Sequence, residues 1–278
     1  MAISIMSNIA SLSAQRHLGE TQQALGQNYA RLSSGLRINT AADDAAGLAI
    51  SEKMKSQIRS MAQAERNAND GTSLLQTAEG ALGQNSGILT RMRELAMEAS
   101  TDTLGATERS DLMKEFTQQF QEIDRISNVT KFNGQSLLDG SVASFSFQVG
   151  TGTTANDSIA ATMVQTSAAA YGASGTDLTA LDISTTAGAK AALTAIDTAI
   201  DDTSTARADL GSVQNRLQVT VANLQSAREN LGAAQSRIAD VDVAAESAEM
   251  TKHNILMQAG VSVLAQANQA PSAALKLL

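Results

Sequence analysis

The chain repeats an apolar residue every seven positions over much of both halves. In the second half one row comprises Leu210, Leu217, Leu224, Leu231 and Ile238. Three positions after each of these come Val213, Thr220, Ala227, Ala234 and Val241. Two such rows form the seam of a coiled coil, whose apolar stripe is unstable on an isolated helix. The pattern therefore predicts a long helix that packs against a helical partner.

The first half supplies that partner through a row of its own, made of Met54, Met61, Ala68, Leu75, Leu82, Leu89 and Ala96. The row keeps its phase through Asp70-Gly71, a pair that by itself favours a hairpin turn. The unbroken phase outweighs the local turn signal, so we predict one helix over residues 41–100. A third helix should follow, with one face formed by Met113, Phe116, Phe120 and Ile123.

Composition agrees with a fold built from closely packed helices. Apolar residues make up 43% of the chain but aromatic residues only 3%, and the single proline is Pro271. Turn signals at Asn133-Gly134 and Asp139-Gly140, and the alternating FSFQV segment, predict a small β region between the halves. We predict a mainly α fold, a long antiparallel helical bundle or coiled coil with a small β-hairpin region.

The two ends of the chain are apolar and almost uncharged. Residues 1–30 contain only Arg16 and Glu20 as fully charged side chains, and residues 253–278 contain only Lys276. Pairing two such helices would leave apolar surface uncovered, which favours association of identical chains. We predict that the terminal helices assemble with other copies of the chain through residues that include Ile5, Ile9, Leu12, Leu256, Val263, Leu264, Leu275 and Leu277.

These patterns divide the chain into five segments. We expect a core helix in 1–40 paired with one in 253–278, bundle segments in 41–140 and 189–252, and a solvated β and loop surface in 141–188. The spacing of Thr40 and Asp43 predicts a helix N-cap at the start of the second segment. Asp43 and Asp44 would then face the positive end of a helix, which accounts for paired acids without catalysis.

Several classes of function lack support in the sequence. The net charge is −8 and the basic residues are scattered, which argues against a nucleic-acid partner. No apolar run approaches the roughly 20 residues of a membrane span, so we expect no membrane insertion. The chain has no cysteine, no H-E-x-x-H motif and no phosphate-binding loop. We therefore predict neither an enzyme nor a cofactor or metal site.

Long stretches at both ends closely resemble bacterial flagellin, the subunit of the flagellar filament. They include LSSGLRINTAADDAAGLAISEKM, LTRMRELAMEAS, EIDRISNVTKFNG and NQAPSAALKLL. The resemblance implies a structural subunit that self-assembles into a filament for swimming motility, in a short form without large outer domains. It also implies terminal helices that pair in the filament core.

The same resemblance implies a route and a set of partners. Flagellins are extracellular and are exported unfolded through the flagellar type III apparatus. That route fits an N-terminus with no basic residue before Arg16 and no unbroken apolar block, unlike a Sec signal peptide. The implied partners are other copies of the chain, an export chaperone, the filament cap and the hook–filament junction proteins.

A receptor site is also implied by the resemblance. In many flagellins an R-x-R-E-L-A segment and a facing glutamate bind Toll-like receptor 5, and the matching residues here are Arg91, Leu95 and Glu115. Gln119 stands where well-recognised members carry a basic residue. The alternative, in which Leu95 is a packing residue and Arg91 a solvated charge, remains open from the sequence.

Two other functions remain as alternatives to a filament subunit. A hook–filament junction protein shares similar terminal patterns. An intracellular coiled-coil adaptor is compatible with the periodicity alone and would form a small defined oligomer without open-ended growth.

Overall fold

The computed structural model of the chain describes residues 8–275, with side-chain environments through residue 269. The fold is mainly helical, as predicted. The described residues form five α-helices, α1 (Ile9–Ser34), α2 (Ala45–Ala99), α3 (Ala106–Val129), α4 (Thr186–Ala239) and α5 (Val243–Leu275).

Three small antiparallel strand pairs lie in the chain between α3 and α4. They are β1 (Lys131–Phe132) with β2 (Gln135–Ser136), β3 (Ser144–Gln148) with β4 (Ser158–Thr162), and β5 (Thr166–Ser167) with β6 (Ala170–Tyr171). Asn133 and Gly134 form the turn between β1 and β2 with φ of 50° and 81°, the left-handed geometry that a two-residue hairpin requires. The predicted turn at Asn133-Gly134 and the predicted strand at FSFQV are both confirmed.

Helix α2 runs through Asp70-Gly71 without interruption, which confirms the prediction of one helix. Its first turn differs from the prediction, because the helix begins at Ala45 and its N-cap is Asp44 rather than Thr40. The Asp44 carboxylate accepts a hydrogen bond from the Gly47 amide at 2.8 Å. Asp43 instead closes the preceding turn by accepting from the Thr40 amide at 2.9 Å and the Asn39 amide at 3.1 Å.

The chain divides into two compact units, one formed by the residues up to Ile58 and from Glu229 onward, the other by Arg59–Arg228. In the second unit the predicted sevenfold rows form the core. Ala68, Leu75, Leu82, Leu89 and Ala96 of α2 are almost completely buried. So are Ile196, Leu210, Val213 and Leu217 of α4.

The segment 141–188 is less solvated than we expected. Its loops are rich in Ser, Thr and Gly and largely exposed, but its few apolar side chains point inward and complete the core of the second unit. The buried members include Val149, Ile159, Met163, Tyr171, Leu178 and Ile183. The average composition of the segment did not predict this burial, because burial depends on where the few apolar residues lie and not on their number.

In the first unit, the SSGLRINT break is paired with the connection between α4 and α5. Gly35 ends α1 in the left-handed conformation with φ of 72°, which glycine adopts without steric cost. The Arg37 amide then donates to Ala239 O at 2.7 Å, and the Val241 amide donates to Gly35 O at 3.1 Å. Val241 therefore lies in this connection, so its assignment to the helical seam of α4 was wrong.

Candidate functional site: the outer face of the terminal helices

Helices α1 and α5 lie antiparallel and are joined by hydrogen bonds at both ends. At one end Asn8 Nδ2 donates to Ala267 O at 2.8 Å, and Ser11 Oγ donates to Asn268 Oδ1 at 2.8 Å. At the other end Asn28 Nδ2 donates to Glu246 Oε1 at 2.7 Å. Asn28 and Ser11 are buried. Buried polar groups need partners, so these bonds favour one register of the pair.

Beside the Asn28–Glu246 bond, Arg31 of α1 lies between α5 and the turn that precedes α2. Its guanidinium lies 3.8 Å from Glu246 of α5 and 3.9 Å from Asp43. Hydrogen bonds from the Thr40 and Asn39 amides lower the pKa of Asp43, and the charge of Arg31 adds to that effect. Sequence reasoning missed this cluster, because nothing in the sequence links positions so far apart.

Apolar contact between the two helices uses small residues for close approach. Leu18 of α1 packs over Gly260 of α5, where an added Cβ would lie 3.3 Å from Leu18 Cδ1. Leu25 is buried, and Leu264 is half-buried. A shallow groove remains between the helices beside Leu18, lined also by Ala14, Leu256 and Val263.

The helix pair also carries apolar side chains that the described chain leaves uncovered, two of them along this groove. We define the outer face as Ile9 and Leu12 of α1 with Ile255, Leu256, Val261 and Val263 of α5, whose exposed fractions lie between 47% and 74%. At about 100° per residue, these four α5 side chains point in three directions, because Leu256 and Val263 share one side while Ile255 and Val261 lie on two others. One partner helix cannot cover all of them. From 253 to 275 the sequence has no Asp, Glu, Lys or Arg to solvate the helix.

The structure places the residues predicted for the polymer core as follows. Ile9, Leu12, Leu256 and Val263 are exposed on the outer face, whereas Leu264 faces partly inward. Leu275 ends α5, but its side chain lies outside the described part, as do Ile5 and Leu277 entirely. Ile255 and Val261 are also exposed there, although neither was among the residues predicted from the sequence. The uncharged apolar run around them was the signal that could have identified both.

The three residues named for receptor binding occupy different environments. Arg91 is about half exposed and bonds Glu115 of α3 through Nε at 2.8 Å and Glu94 through Nη1 at 3.0 Å. The hydrogen bond to Glu115 is the main cause of the raised pKa of Arg91. Leu95 is fully buried in the same core cluster as Phe116. The structure therefore brings Arg91 and Glu115 together at the surface and places Leu95 inside.

Other kinds of site find little support in the described residues. Within residues 8–275 no three His, Asp or Glu side chains are grouped so that they could hold a metal ion. His17 contacts Glu20 at 3.1 Å, and His253 lies 3.7 Å from Glu249, each on its own helix. No helix in the described part is both long and apolar enough to span a bilayer.

Comparison with known proteins gives consistent matches along the chain. Residues 5–143 match the bacterial flagellin N-terminal helical region, and residues 193–278 match the bacterial flagellin C-terminal helical region. The chain is 48% identical to the flagellin of Halalkalibacterium halodurans and 44% identical to that of Bacillus subtilis, with 98% of each chain covered in both comparisons. It is 42% identical to the flagellar filament 33 kDa core protein of Treponema phagedenis, again over 98% of each chain.

Solved structures agree with this result. The crystal structure of Bacillus cereus flagellin is 34% identical and matches with a TM-score of 0.50, covering 61% of this chain and 94% of that one. A putative flagellar hook-associated protein from Vibrio parahaemolyticus matches with a TM-score of 0.61, covering 71% of this chain and all of that one. Its identity of 17% shows a shared fold alone. On the family matches and the identities over its whole length, the chain belongs to the bacterial flagellin family, a structural subunit of the flagellar filament.

Proposed function

We propose that the outer face of α1 and α5 is the surface through which copies of this chain pack in the core of the flagellar filament. The observation that carries the proposal is the set of largely exposed apolar side chains on this helix pair, together with the absence of Asp, Glu, Lys and Arg from residues 253–275 of α5. Complete burial of a half-exposed Ile, Leu or Val side chain contributes about 1 kcal/mol. The six side chains of the outer face would therefore stabilise each subunit in a polymer by several kcal/mol.

Two glycines support close packing on the exposed side of α1. Gly19 and Gly26 are exposed and lie seven residues apart, in phase with Leu12. A Cβ added at either glycine would meet no atom of the described chain within 4 Å. A neighbouring helix can approach the backbone closely at such positions. Slight alternative packings there are our hypothesis for how neighbouring subunits set the filament supercoil.

Val263→Asp is the test that best separates assembly from folding. Val263 is 54% exposed, so the isolated chain should fold normally while the buried charge in the polymer prevents assembly. We would add sheared filament fragments to purified monomer and record filaments by negative-stain electron microscopy. Long filaments of uniform diameter are expected from the wild type and none from the variant.

The matched control is Val219→Asp, which adds the same charge at a valine of α4 that is 61% exposed. We expect this variant to assemble nearly as well as the wild type. Normal filaments from Val263→Asp would refute the role of the outer face. An equal loss in both variants would show that added negative charge on a chain of net charge −8 blocks assembly wherever it is placed.

We further propose an extracellular filament reached through the flagellar type III apparatus, with an export chaperone, the filament cap and the hook–filament junction proteins as partners. The outer face favours a chaperone among these partners, because the exposed apolar side chains of Ile255, Leu256 and Val261 would otherwise contact water until the subunit assembles. Coexpression of the C-terminal helix with a chaperone of the same organism should yield a complex. The complex should be lost in a Leu256→Asp, Val261→Asp double variant.

A second proposed function is recognition by Toll-like receptor 5 through Arg91 and Glu115. The exposed guanidinium held by Glu115 and Glu94 supports it, because a preorganised Arg is a frequent anchor of protein interfaces. Leu95 would act here by holding α2 in place. In receptor-reporter cells Arg91→Ala should lower the response, whereas Arg93→Ala, which removes a different exposed pair with Asp197, should change it little. Equal responses from both variants would refute the assignment.

A further inference from the structure

The turn between β1 and β2 carries the one Asn-Gly pair of the sequence, Asn133-Gly134. In such a pair the backbone nitrogen of glycine can attack the side-chain amide carbon of asparagine, because glycine has no Cβ to hinder the approach. Asparagine is for this reason among the chemically labile residues of proteins. Two Asp-Gly pairs, Asp70-Gly71 and Asp139-Gly140, offer the same attack on a carboxyl carbon. The structure places the three pairs in very different surroundings.

The Asn133-Gly134 pair lies at the open tip of a small hairpin. Both residues are exposed, and β1 and β2 pair through only two residues each. A Cβ added to Gly134 would meet no atom of the described chain within 4 Å, so the backbone has room to turn. A two-stranded hairpin by itself is marginally stable in water. Local opening of this turn therefore costs little and lets the Gly134 nitrogen reach the Asn133 amide carbon.

The Asp139 side chain is held by hydrogen bonds in its ionised form. Its carboxylate accepts from the Ser141 amide at 2.9 Å and from the Ser141 hydroxyl at 2.6 Å. The bond from the hydroxyl is the main cause of the lowered pKa of Asp139. A carboxylate anion resists attack, because its oxygen leaves readily only from the neutral acid. The Asp139-Gly140 pair should therefore react slowly near neutral pH.

The Asp70-Gly71 pair is protected by the helix that contains it. Both residues lie inside α2, where hydrogen bonds between successive turns hold the backbone amides. The Phe147 ring packs against Gly71, since an added Cβ would lie 2.9 Å from two of its carbons. Attack by the Gly71 nitrogen would require the backbone at Asp70 to leave its helical conformation and break those bonds.

We propose that Asn133 is the site where the folded chain deamidates first, while the fold protects both Asp-Gly pairs. The Gly134 nitrogen loses its proton and bonds to Asn133 Cγ, and the side-chain nitrogen leaves as ammonia. Water then opens the five-membered imide at either carbonyl carbon, which restores the amide proton and leaves aspartate or isoaspartate at position 133. Isoaspartate adds one carbon to the backbone of the turn. A two-residue turn of that length no longer keeps Phe132 opposite Gln135.

The first test follows the ageing of purified monomer near neutral pH by peptide mass spectrometry. The acid product should accumulate at position 133, with isoaspartate at Asp70-Gly71 and Asp139-Gly140 near background. In guanidinium chloride the products at both Asp-Gly pairs should rise, because the fold no longer protects them. The proposal is overturned if Asn133 stays intact in the folded monomer but converts in denaturant. It is overturned equally if either Asp-Gly pair of the folded chain converts as fast as Asn133.

The second test labels aged, intact monomer with an isoaspartate methyltransferase. Asn133→Gln should lower methyl uptake to the level of freshly prepared protein, because the longer side chain cyclises far more slowly. The matched control is Asn128→Gln at an exposed asparagine of α3, whose Nδ2 donates to Asp124 O at 2.8 Å. This control should take up as much label as the wild type. Undiminished uptake in an Asn133→Gln variant with the circular dichroism of the wild type would overturn the assignment.

Discussion

Gly71→Ala tests whether the middle of α2 is shaped by a ring packed against its backbone. Gly71 is buried, and an added Cβ would lie 2.9 Å from two ring carbons of Phe147 in β3. Alanine normally stabilises a helix interior over glycine by about 0.5–1 kcal/mol. Overpacking a core costs about 1–3 kcal/mol. Since the second effect is the larger, we expect the free energy of unfolding to fall by about 1 kcal/mol.

Denaturant unfolding of the unpolymerised monomer, followed by far-ultraviolet circular dichroism, measures this change. The matched control is Gly80→Ala in the same helix, at an exposed glycine whose added Cβ would meet no atom of the described chain within 4 Å. That variant should gain about 0.5–1 kcal/mol. In a Phe147→Leu background the cost of Gly71→Ala should shrink, because the two side chains are coupled. Equal stabilisation by both alanine variants would refute the reasoning.

Three further predictions concern single residues of α2 and the turn before it. Asp44→Ala should destabilise the protein by about 1 kcal/mol in the same unfolding assay, because the Gly47 amide loses its cap; no change would show that Asp44 is not the cap. Asp43 has a lowered pKa in the folded chain, chiefly through the Thr40 amide. Its contribution to stability is therefore present above its unfolded pKa and is lost as the pH falls through the lower folded pKa. Asp43→Asn should be less stable than the wild type near neutral pH, with the difference shrinking in acid; a constant difference would contradict this. Leu95→Ala should cost about 2–5 kcal/mol because it opens a cavity in the core. Loss of receptor response without loss of stability would instead indicate a direct contact.

The sequence by itself determined the elements that depend on regular spacing. Sevenfold apolar rows repeat along the helix axis, so their phase predicted α2 as one helix even across Asp70-Gly71. The Asn133-Gly134 turn was also predictable, because a two-residue hairpin needs left-handed backbone at positions that these residue types tolerate. The uncharged ends indicated an association surface, since apolar helices without charge need cover.

Contacts between distant parts of the chain were decided only by the tertiary structure. The reason for glycine at position 71 is Phe147, which is remote in sequence, and the local signal alone suggested a turn. Leu95 lies one turn after Arg91, on nearly the same side of α2, yet Leu95 is buried among residues that include Phe116 while Arg91 is half exposed and pairs with Glu115 at the surface. Tyr171 belongs to a polar segment but fills the core. The periodicity of apolar residues is a local property of one continuous stretch of sequence. The burial of a side chain and its contacts with distant residues depend instead on which surfaces meet once the chain has folded.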